Sequence, residues 1–296
     1  MKKILAWVSI AMVLSLALAG WGEEQKSFEA MMAEAERLWY QDDYPASNRV
    51  LDQAIRLYPK QTEPYWRKAR NLFDQVEIIP RDRKPPKEEL LKTYREVEAL
   101  GQKCMELDPQ DGNCTLWKGI GMGRRGSTQG VLNSLGEIED LEAMILKTLE
   151  LKPTYRAEQG KADAMADAYA VLGQFYRVLP DWRILSLLFG ARGDLEKSVA
   201  MNRRAVELEP QRIEHVKELG LSLICLGQKR DQPEKVEEGK KILRGIAGLP
   251  VIKPSDKIDQ EHAGMLLQDP SLACGYSRDA QQEQSREAFE KSSNQK

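Results

Sequence analysis

Few side chains in this sequence have the chemistry for catalysis, and the two histidines are the first to consider. His215 and His262 each lie in a polar stretch with helical periodicity, and no nucleophile motif accompanies either of them. A histidine acts as a general base only when a nucleophile or a bound water lies within hydrogen-bond reach. The sequence therefore predicts a protein that is not an enzyme and that needs no cofactor.

A glycine-rich segment, from Gly119 to Gly130, superficially looks like a phosphate-binding loop and contains Arg124 and Arg125. Phosphate loops follow a β-strand, and a P-loop also needs a lysine followed by serine or threonine. Neither feature accompanies this segment. We expect a turn of unusual freedom, whose arginines bind an acidic ligand or partner. The alternative is that they pair with Glu137 or its acidic neighbours and only steady the turn.

The four cysteines are the third set of reactive side chains. Cys104 and Cys114 flank Pro109 almost symmetrically, one at the end of a predicted helix and one at the start of the next, so a disulfide is within reach. The alternative is that Cys104 packs as a small free thiol. We expect Cys225, in an apolar stretch, to be a core residue. No Cys-x-x-Cys or paired-histidine spacing predicts a metal site.

The elements that must position these residues are helices that end in one recurring signature. A proline ends a helix because it lacks an N–H and clashes with the preceding turn. The segment from Trp182 to Pro210 has large and small residues at the offsets of a two-helix repeat of about 34 residues. The sequence therefore predicts an all-α, TPR-like α-solenoid of about five helix pairs. The signature is a leucine two residues before a proline, at Leu57/Pro59, Leu107/Pro109, Leu151/Pro153 and Leu208/Pro210.

The spacing of these prolines exceeds the repeat length, which predicts insertions. We expect them at 80–87, 119–130 and 178–192, where proline, glycine or aromatic residues interrupt the pattern. The residues before the third insertion already form the complete first helix of a repeat. The match to the repeat pattern that begins at Trp182, inside this insertion, is therefore partly coincidental. Gly173 should lie at a close helix crossing. A bulky residue there should disrupt folding more than one at Gly121, which we place in a turn.

The segment from Leu172 to Pro210, together with the one from Leu116 to Gly126, resembles the regulator-of-microtubule-dynamics family of TPR-like proteins. That family has a Leu-Gly-x-x-Tyr helix, then an aromatic insertion with Leu-Phe-Gly, then a standard second helix. The resemblance covers roughly residues 100–250. With its N-terminal segment the chain is also similar to the TPR-type accessory lipoproteins of TRAP transporters. Neither resemblance implies catalytic residues.

The N-terminal segment predicts export. Lys2 and Lys3 precede an apolar run from Ile4 to Leu18, and an Ala-x-Ala motif ends at Ala19. This is the pattern of a secretory signal peptide, and the run is shorter than the roughly 20 residues that a membrane span needs. Trp21 stands where a lipoprotein would carry its lipidated cysteine. We predict a signal peptide over 1–20 and a periplasmic location; an uncleaved anchor is the alternative.

The charges of the chain are mixed rather than clustered. It has 44 basic and 46 acidic residues and a net charge of −2, which argues against a nucleic-acid partner. We expect the repeat domain to cover 24–276 and a polar tail over 277–296 to be disordered. A short polar helix, Ser255 to Gln268, is suited to closing the end of the array.

The candidate binding residues lie on the predicted first helices, which line the concave face of a TPR stack. They combine arginines with aromatic residues, which dominate many interfaces, although burial between helices is the alternative for each aromatic. The candidates are Trp66, Arg70, Trp117, Arg124, Arg125, Tyr169, Gln174 and Arg177.

Two functions follow from this pattern. The first is a non-enzymatic exported scaffold that binds a protein or peptide partner in the envelope, in peripheral association with it. The alternative is a small-ligand-binding accessory component of a solute transporter, with the glycine-rich segment and the third insertion roofing a pocket. A closed pocket with an arginine and apolar walls would favour the small ligand, and a long open groove would favour the scaffold.

Overall fold

The structure is a computed structural model that describes residues 27–154 and 164–278. Within these ranges the chain forms twelve α-helices and four short 3₁₀ segments, and no β-strand. The predicted signal peptide lies outside the described residues. The α-helices are α1 (Phe28–Tyr40), α2 (Tyr44–Leu57), α3 (Glu63–Glu77), α4 (Lys87–Leu107), α5 (Gly112–Gln129), α6 (Ile138–Leu151), α7 (Ala164–Val178), α8 (Arg183–Phe189), α9 (Leu195–Leu208), α10 (Ile213–Arg230), α11 (Pro233–Gly245) and α12 (Asp256–Gln268). The 3₁₀ segments are Arg81–Arg83, Val131–Glu137, Ile246–Gly248 and Pro270–Leu272.

Local sequence signals set the ends of these helices. Each leucine of the recurring signature is the last residue of its helix, in α2, α4, α6 and α9, and the proline follows two residues later. At the other end, the side chains of Asp43, Asp111 and Asp194 accept backbone N–H groups in the first turns of α2, α5 and α9. Such caps satisfy N–H donors that have no partner inside the helix.

The helices pack as five successive pairs, which confirms the predicted TPR-like solenoid. The pairs are α1 with α2, α3 with α4, α5 with α6, α7 with α9, and α10 with α11. Helix α8 is the third insertion. After it the backbone N–H of Asp194 donates to the carbonyl of Tyr176, 3.0 Å away, so the chain returns to the end of α7 before α9 begins. The first half of the repeat-like match that starts at Trp182 thus falls on the insertion and only its second half is a repeat helix, α9, so the match is partly coincidental, as expected.

The prediction of a turn in the glycine-rich segment is wrong, because α5 is continuous from Gly112 to Gln129. Its glycines allow neighbouring helices to approach closely. A Cβ atom at Gly121 would lie 2.6 Å from the backbone nitrogen of Glu98 in α4, and one at Gly119 would lie 2.2 Å from the side chain of Ile145 in α6. Small residues at these positions serve packing rather than chain freedom.

Two disulfides tie the described part of the chain together. Cys104 and Cys114 are bonded across the turn between α4 and α5, with their Cα atoms 5.2 Å apart. Cys225 is buried, as expected, but it is also bonded to Cys274, 49 residues later. The second bond fastens the segment that follows α12 to α10.

The C-terminal segment, residues 246–278, folds back across the array instead of only capping its last repeat. The ammonium group of Lys253 lies 3.3 Å from carboxylate oxygens of Asp42 and Asp74, and the N–H of Ser255 donates to Asp42 over 2.7 Å. These contacts join residues more than 170 positions apart along the chain. The solenoid therefore closes on itself, with its concave face inside.

The end of the segment is anchored in the same way. Arg177 in α7 is fully buried, and its guanidinium donates to the carbonyls of Ala273, Cys274 and Tyr276. Arg278, in the first residues of the predicted polar tail, forms an ion pair with Asp259 of α12. The rest of the predicted tail lies outside the described residues. No helix in the described ranges is both long and apolar enough to cross a membrane.

Candidate ligand-binding pocket

The concave face holds a cavity of about 190 Å³. Its walls come from the first helices of the pairs, α1, α3, α5, α7 and α10, together with α6 and the Val131–Glu137 segment. Residues of both predicted roofing segments take part: Gly123 and Ser127 on α5, and Val178 and Leu179 at the end of α7. The fold encloses this cavity only in part, so it lies between a closed pocket and an open groove.

One end of this pocket is apolar. It lies where α5, α6 and α7 converge, and aliphatic and aromatic side chains face it from each helix. Removing the apolar surface of a ligand from water at such a wall contributes roughly 25 cal/mol per Å². The lining residues here are Phe73, Trp117, Ile120, Val131, Ile138, Leu141, Ile145, Val171, Phe175, Val178 and Leu179.

The other end of the pocket is charged. It is built by α3, the end of α5, the start of α7, α10 and the C-terminal segment, which bring cations and carboxylates together. Buried charges are tolerated when each is paired and hydrogen-bonded. The charged residues that line this end are Arg70, Asp74, Glu77, Arg124, Asp167, Arg212, Glu214, Lys217, Glu218 and Arg278, with His215 among them.

Two arginines at the polar end are held by glutamates of neighbouring helices. Arg70 donates to Glu36 over 2.6 Å, and its guanidinium carbon lies 3.9 Å from the centre of the Trp39 ring. Arg124 donates to Glu77 over 2.7 Å. Both guanidinium groups are thus fixed by protein carboxylates. Their main contribution to the pocket is positive potential rather than free hydrogen-bond donors.

His215 is clamped between two carboxylates at the floor of the pocket. Its Nε2 lies 3.1 Å from Asp167 and its Nδ1 lies 3.4 Å from Glu209, and the side chain is almost fully buried. Burial by itself lowers the pKa of His215, but the hydrogen bond with Asp167 and the charges of both carboxylates raise it by more, so the net pKa is raised. The arrangement favours the doubly protonated imidazolium.

The same three residues also lie close enough together to be compared with a metal site. Asp167, Glu209 and His215 offer ligand atoms within 4.8 Å of one another, a cluster that the sequence did not predict because its members come from α7, a loop and α10. However, the two carboxylates face opposite nitrogens of one ring, and a single metal ion can bind only one of those nitrogens. The cluster therefore suits a charged histidine rather than a metal ion.

Arg212 is held differently from the other cations of the pocket. It is the last residue before α10, its side chain is 12% exposed, and its contact with Glu214 is an ion pair of 3.5 Å. Its Nη1 is buried without a hydrogen-bond partner. Burial lowers the pKa of Arg212, but the charges of Glu214 and other nearby carboxylates hold it above its ordinary value. The guanidinium is therefore charged and only loosely paired.

Four of the eight residues selected from the sequence line the pocket: Arg70, Trp117, Arg124 and Gln174. They lie on α3, α5 and α7, at the positions that face the concave side. Trp117 also packs in the core beneath the pocket, which combines the two alternatives considered for it.

The other four selected residues lie elsewhere. Trp66 is buried in the core between helices, and Arg177 anchors the C-terminal segment. Tyr169 interacts with Arg204 of α9. Arg125 forms ion pairs with Glu98 and with Glu137, each over 2.8 Å. For this arginine the structure therefore shows the alternative considered above, pairing with acidic neighbours. The adjacent arginines of α5 therefore have separate roles.

No family model matches the chain, and none of the curated proteins is similar to it. The specific resemblances noted from the sequence are thus not confirmed. Among solved structures, the "Human IFIT1 dimer with m7Gppp-AAAA" has a TM-score of 0.50 and 15% identity, covering 98% of this chain and 55% of that chain. The "MamA RS-1 ArsTM double mutant" has a TM-score of 0.40 and 17% identity, covering 73% and 93%.

These comparisons define the class of protein by its fold alone. The similarity to IFIT1 supports a TPR-like helical repeat, and this chain spans about half the length of that protein. At such low identity the similarity does not extend to what the other protein binds. The MamA similarity is too loose to carry an argument.

Proposed function

We propose that this protein is a non-enzymatic binding protein whose concave pocket holds one small amphipathic molecule. The observation that carries the proposal is the pocket itself: an apolar wall at one end, a loosely paired arginine at the other, and a C-terminal segment that covers the face. An engineered apolar cavity of about 150 Å³ is large enough to bind benzene. A cavity of about 190 Å³ therefore suits a ligand with a short apolar body.

The contacts around the pocket favour binding over catalysis. The two lining serines, Ser127 and Ser134, donate to the backbone carbonyls of Arg124 and Gly126, so neither is hydrogen-bonded to His215. The histidine itself is engaged on both sides. A nucleophile needs an adjacent base to activate it, and these serines do not have one.

We also propose that the protein is exported to an oxidising compartment. The two disulfides support this location, because such bonds persist mainly outside the reducing cytosol. The N-terminal sequence pattern supports it independently. Delivery of the bound molecule to a transporter is the role that the resemblance to transporter accessory proteins suggests for such an exported carrier.

Titration calorimetry with octanol, a neutral amphipathic molecule, tests the pocket. We expect saturable binding of one molecule per chain. Ala170 lines the cavity from α7, so Ala170→Phe should fill it and abolish the binding. Ala200 is exposed on α9, and Ala200→Phe is the matched control that should bind like the wild type. The absence of binding to the wild type, or equal binding by both variants, would refute the proposal.

Protein binding is the second candidate function, and one observation favours it. Helix α8 exposes three large apolar side chains: Ile184 is 52% exposed, Leu187 79% and Leu188 64%. Exposed apolar patches mark many interaction sites. A partner that binds here should be captured from an envelope extract by the wild type and by Ala170→Phe, but not by a Leu187→Ser/Leu188→Ser variant. Identical capture by all three would eliminate α8 as the binding surface.

A further inference from the structure

The structure assigns the polar end of the pocket to a carboxylate, with Arg212 as the residue that binds it. This inference rests on the proposed function and deepens it by naming the ligand class, a monocarboxylate with a short apolar body. The ligand's carboxylate would accept hydrogen bonds from the guanidinium, and its apolar body would lie toward Phe175 and Ile145.

The hydrogen bonds of the pocket single out Arg212 among its cations. Each of the other lining cations donates to a protein carboxylate, and these contacts are Arg70 to Glu36, Arg124 to Glu77, Lys217 to Asp259 and Arg278 to Asp259. Arg212 instead has one ion pair of 3.5 Å and a buried Nη1 with no hydrogen-bond partner. A buried guanidinium with an unused donor is costly unless a partner satisfies it.

Capping of α10 does not explain the burial of Arg212. It immediately precedes α10, but its side chain makes no capping hydrogen bond to that helix. It lies at the boundary between Asp167 and Glu214, at the starts of α7 and α10, and the apolar lining farther along α7. A planar guanidinium at such a boundary matches the two oxygens of a carboxylate, which it can bind with two parallel hydrogen bonds.

The neighbouring acidic groups leave room for a ligand carboxylate. Glu214 is 38% exposed, and its distance of 3.5 Å from Arg212 is long for a charge-assisted hydrogen bond. Asp167 is fixed by His215, whose raised pKa favours a positive charge beside it. Glu214 can therefore be replaced by a ligand oxygen as the partner of Arg212 while it keeps its interactions with Arg278 and Lys217.

The test compares three probes of equal length, octanoate, octanol and octylamine, by calorimetry on the full chain. A charge-assisted hydrogen bond contributes roughly 1.5–3 kcal/mol, which corresponds to about 10- to 150-fold in affinity. We expect octanoate to bind at least about tenfold more tightly than octanol, at the low end of that range. Octylamine should bind no better than octanol.

Variants locate the effect. Arg212→Gln should lose the preference for octanoate over octanol, while Arg212→Lys, which keeps the charge, should retain part of it. Arg125→Gln is the matched control, because Arg125 lies outside the pocket, and it should keep the full preference. Octanol binding by each variant also shows that its pocket is folded.

Each other outcome has a separate meaning. Equal affinity for octanoate and octanol, tighter binding of octylamine, or a preference that survives in Arg212→Gln overturns the carboxylate assignment and leaves the pocket proposal intact. If none of the three probes binds the wild type, the proposed function itself fails, and the assignment fails with it.

Discussion

A pair of glycine substitutions on α5 tests how closely this helix packs against its neighbours. Gly121 and Gly123 lie two residues apart in the same helix, and each is replaced by alanine. A Cβ at Gly123 would lie 3.5 Å from Leu141, an ordinary contact. One at Gly121 would lie 2.6 Å from the backbone nitrogen of Glu98 and 2.9 Å from its Cα. Backbone cannot turn aside as a side chain can, so α4 and α5 must move apart.

The magnitude follows from two effects. Alanine is more favourable than glycine in a helix interior by about 1 kcal/mol, and this gain is the same at both positions. Overpacking costs about 1–3 kcal/mol and applies only at Gly121. Gly123→Ala should therefore raise the free energy of unfolding by up to about 1 kcal/mol, and Gly121→Ala should be about 1–3 kcal/mol less stable than Gly123→Ala.

Urea unfolding followed by circular dichroism at a helical wavelength measures the difference. Equal free energies of unfolding for the two variants would refute the packing argument. They would restore the sequence-based expectation that Gly121 lies in a tolerant turn. Gly173 does not provide a cleaner test, because a Cβ there would meet the buried side chain of Asn202, which donates to Ser222, rather than backbone.

Three further predictions concern the closure of the pocket and its charged floor. Lys253→Met leaves two buried carboxylates without their cation and should lower the free energy of unfolding by about 3 kcal/mol; an unchanged urea midpoint would contradict the closure. Replacing Cys225 and Cys274 by serine opens a loop of 49 residues, which should cost about 4 kcal/mol and raise hydrogen exchange in 270–278, whereas unchanged exchange there would argue against the anchor. The raised pKa of His215 stabilises the fold below an unfolded pKa of about 6.5, and this contribution is lost as pH rises through the folded pKa. His215→Gln should therefore destabilise most at acidic pH, and a cost that is independent of pH in urea titrations would exclude the clamp.

Local signals made much of the fold predictable. The leucine–proline signature placed the ends of four helices, because a proline acts on its own turn regardless of distant residues. The insertion that forms α8 was also predictable, since Gly173 and Tyr176 had already completed a first helix. The glycines of α5 were misjudged, because a glycine at a close crossing and a glycine in a turn look alike until the neighbouring helix is placed.

The site was less predictable, since it depends on contacts between distant parts of the chain. Arg70 and Arg124 were found because they follow the concave face of first helices. Arg212 precedes its helix, where no periodic pattern marks it, and its role depends on the absence of a strong partner. The closure by Lys253 joins segments at opposite ends of the repeat domain, and no spacing in the sequence reveals that contact.

Hydrogen–deuterium exchange of the full chain, with and without saturating octanoate, tests the central claim most directly. A small molecule in the pocket should protect backbone amides where α5, α7 and the start of α10 line the cavity, around Ile120, Phe175 and His215. The exposed face of α8 and the outer helix α9 should exchange at unchanged rates. Protection on α8 or α9 without protection in the pocket, or no protection anywhere, would contradict the account.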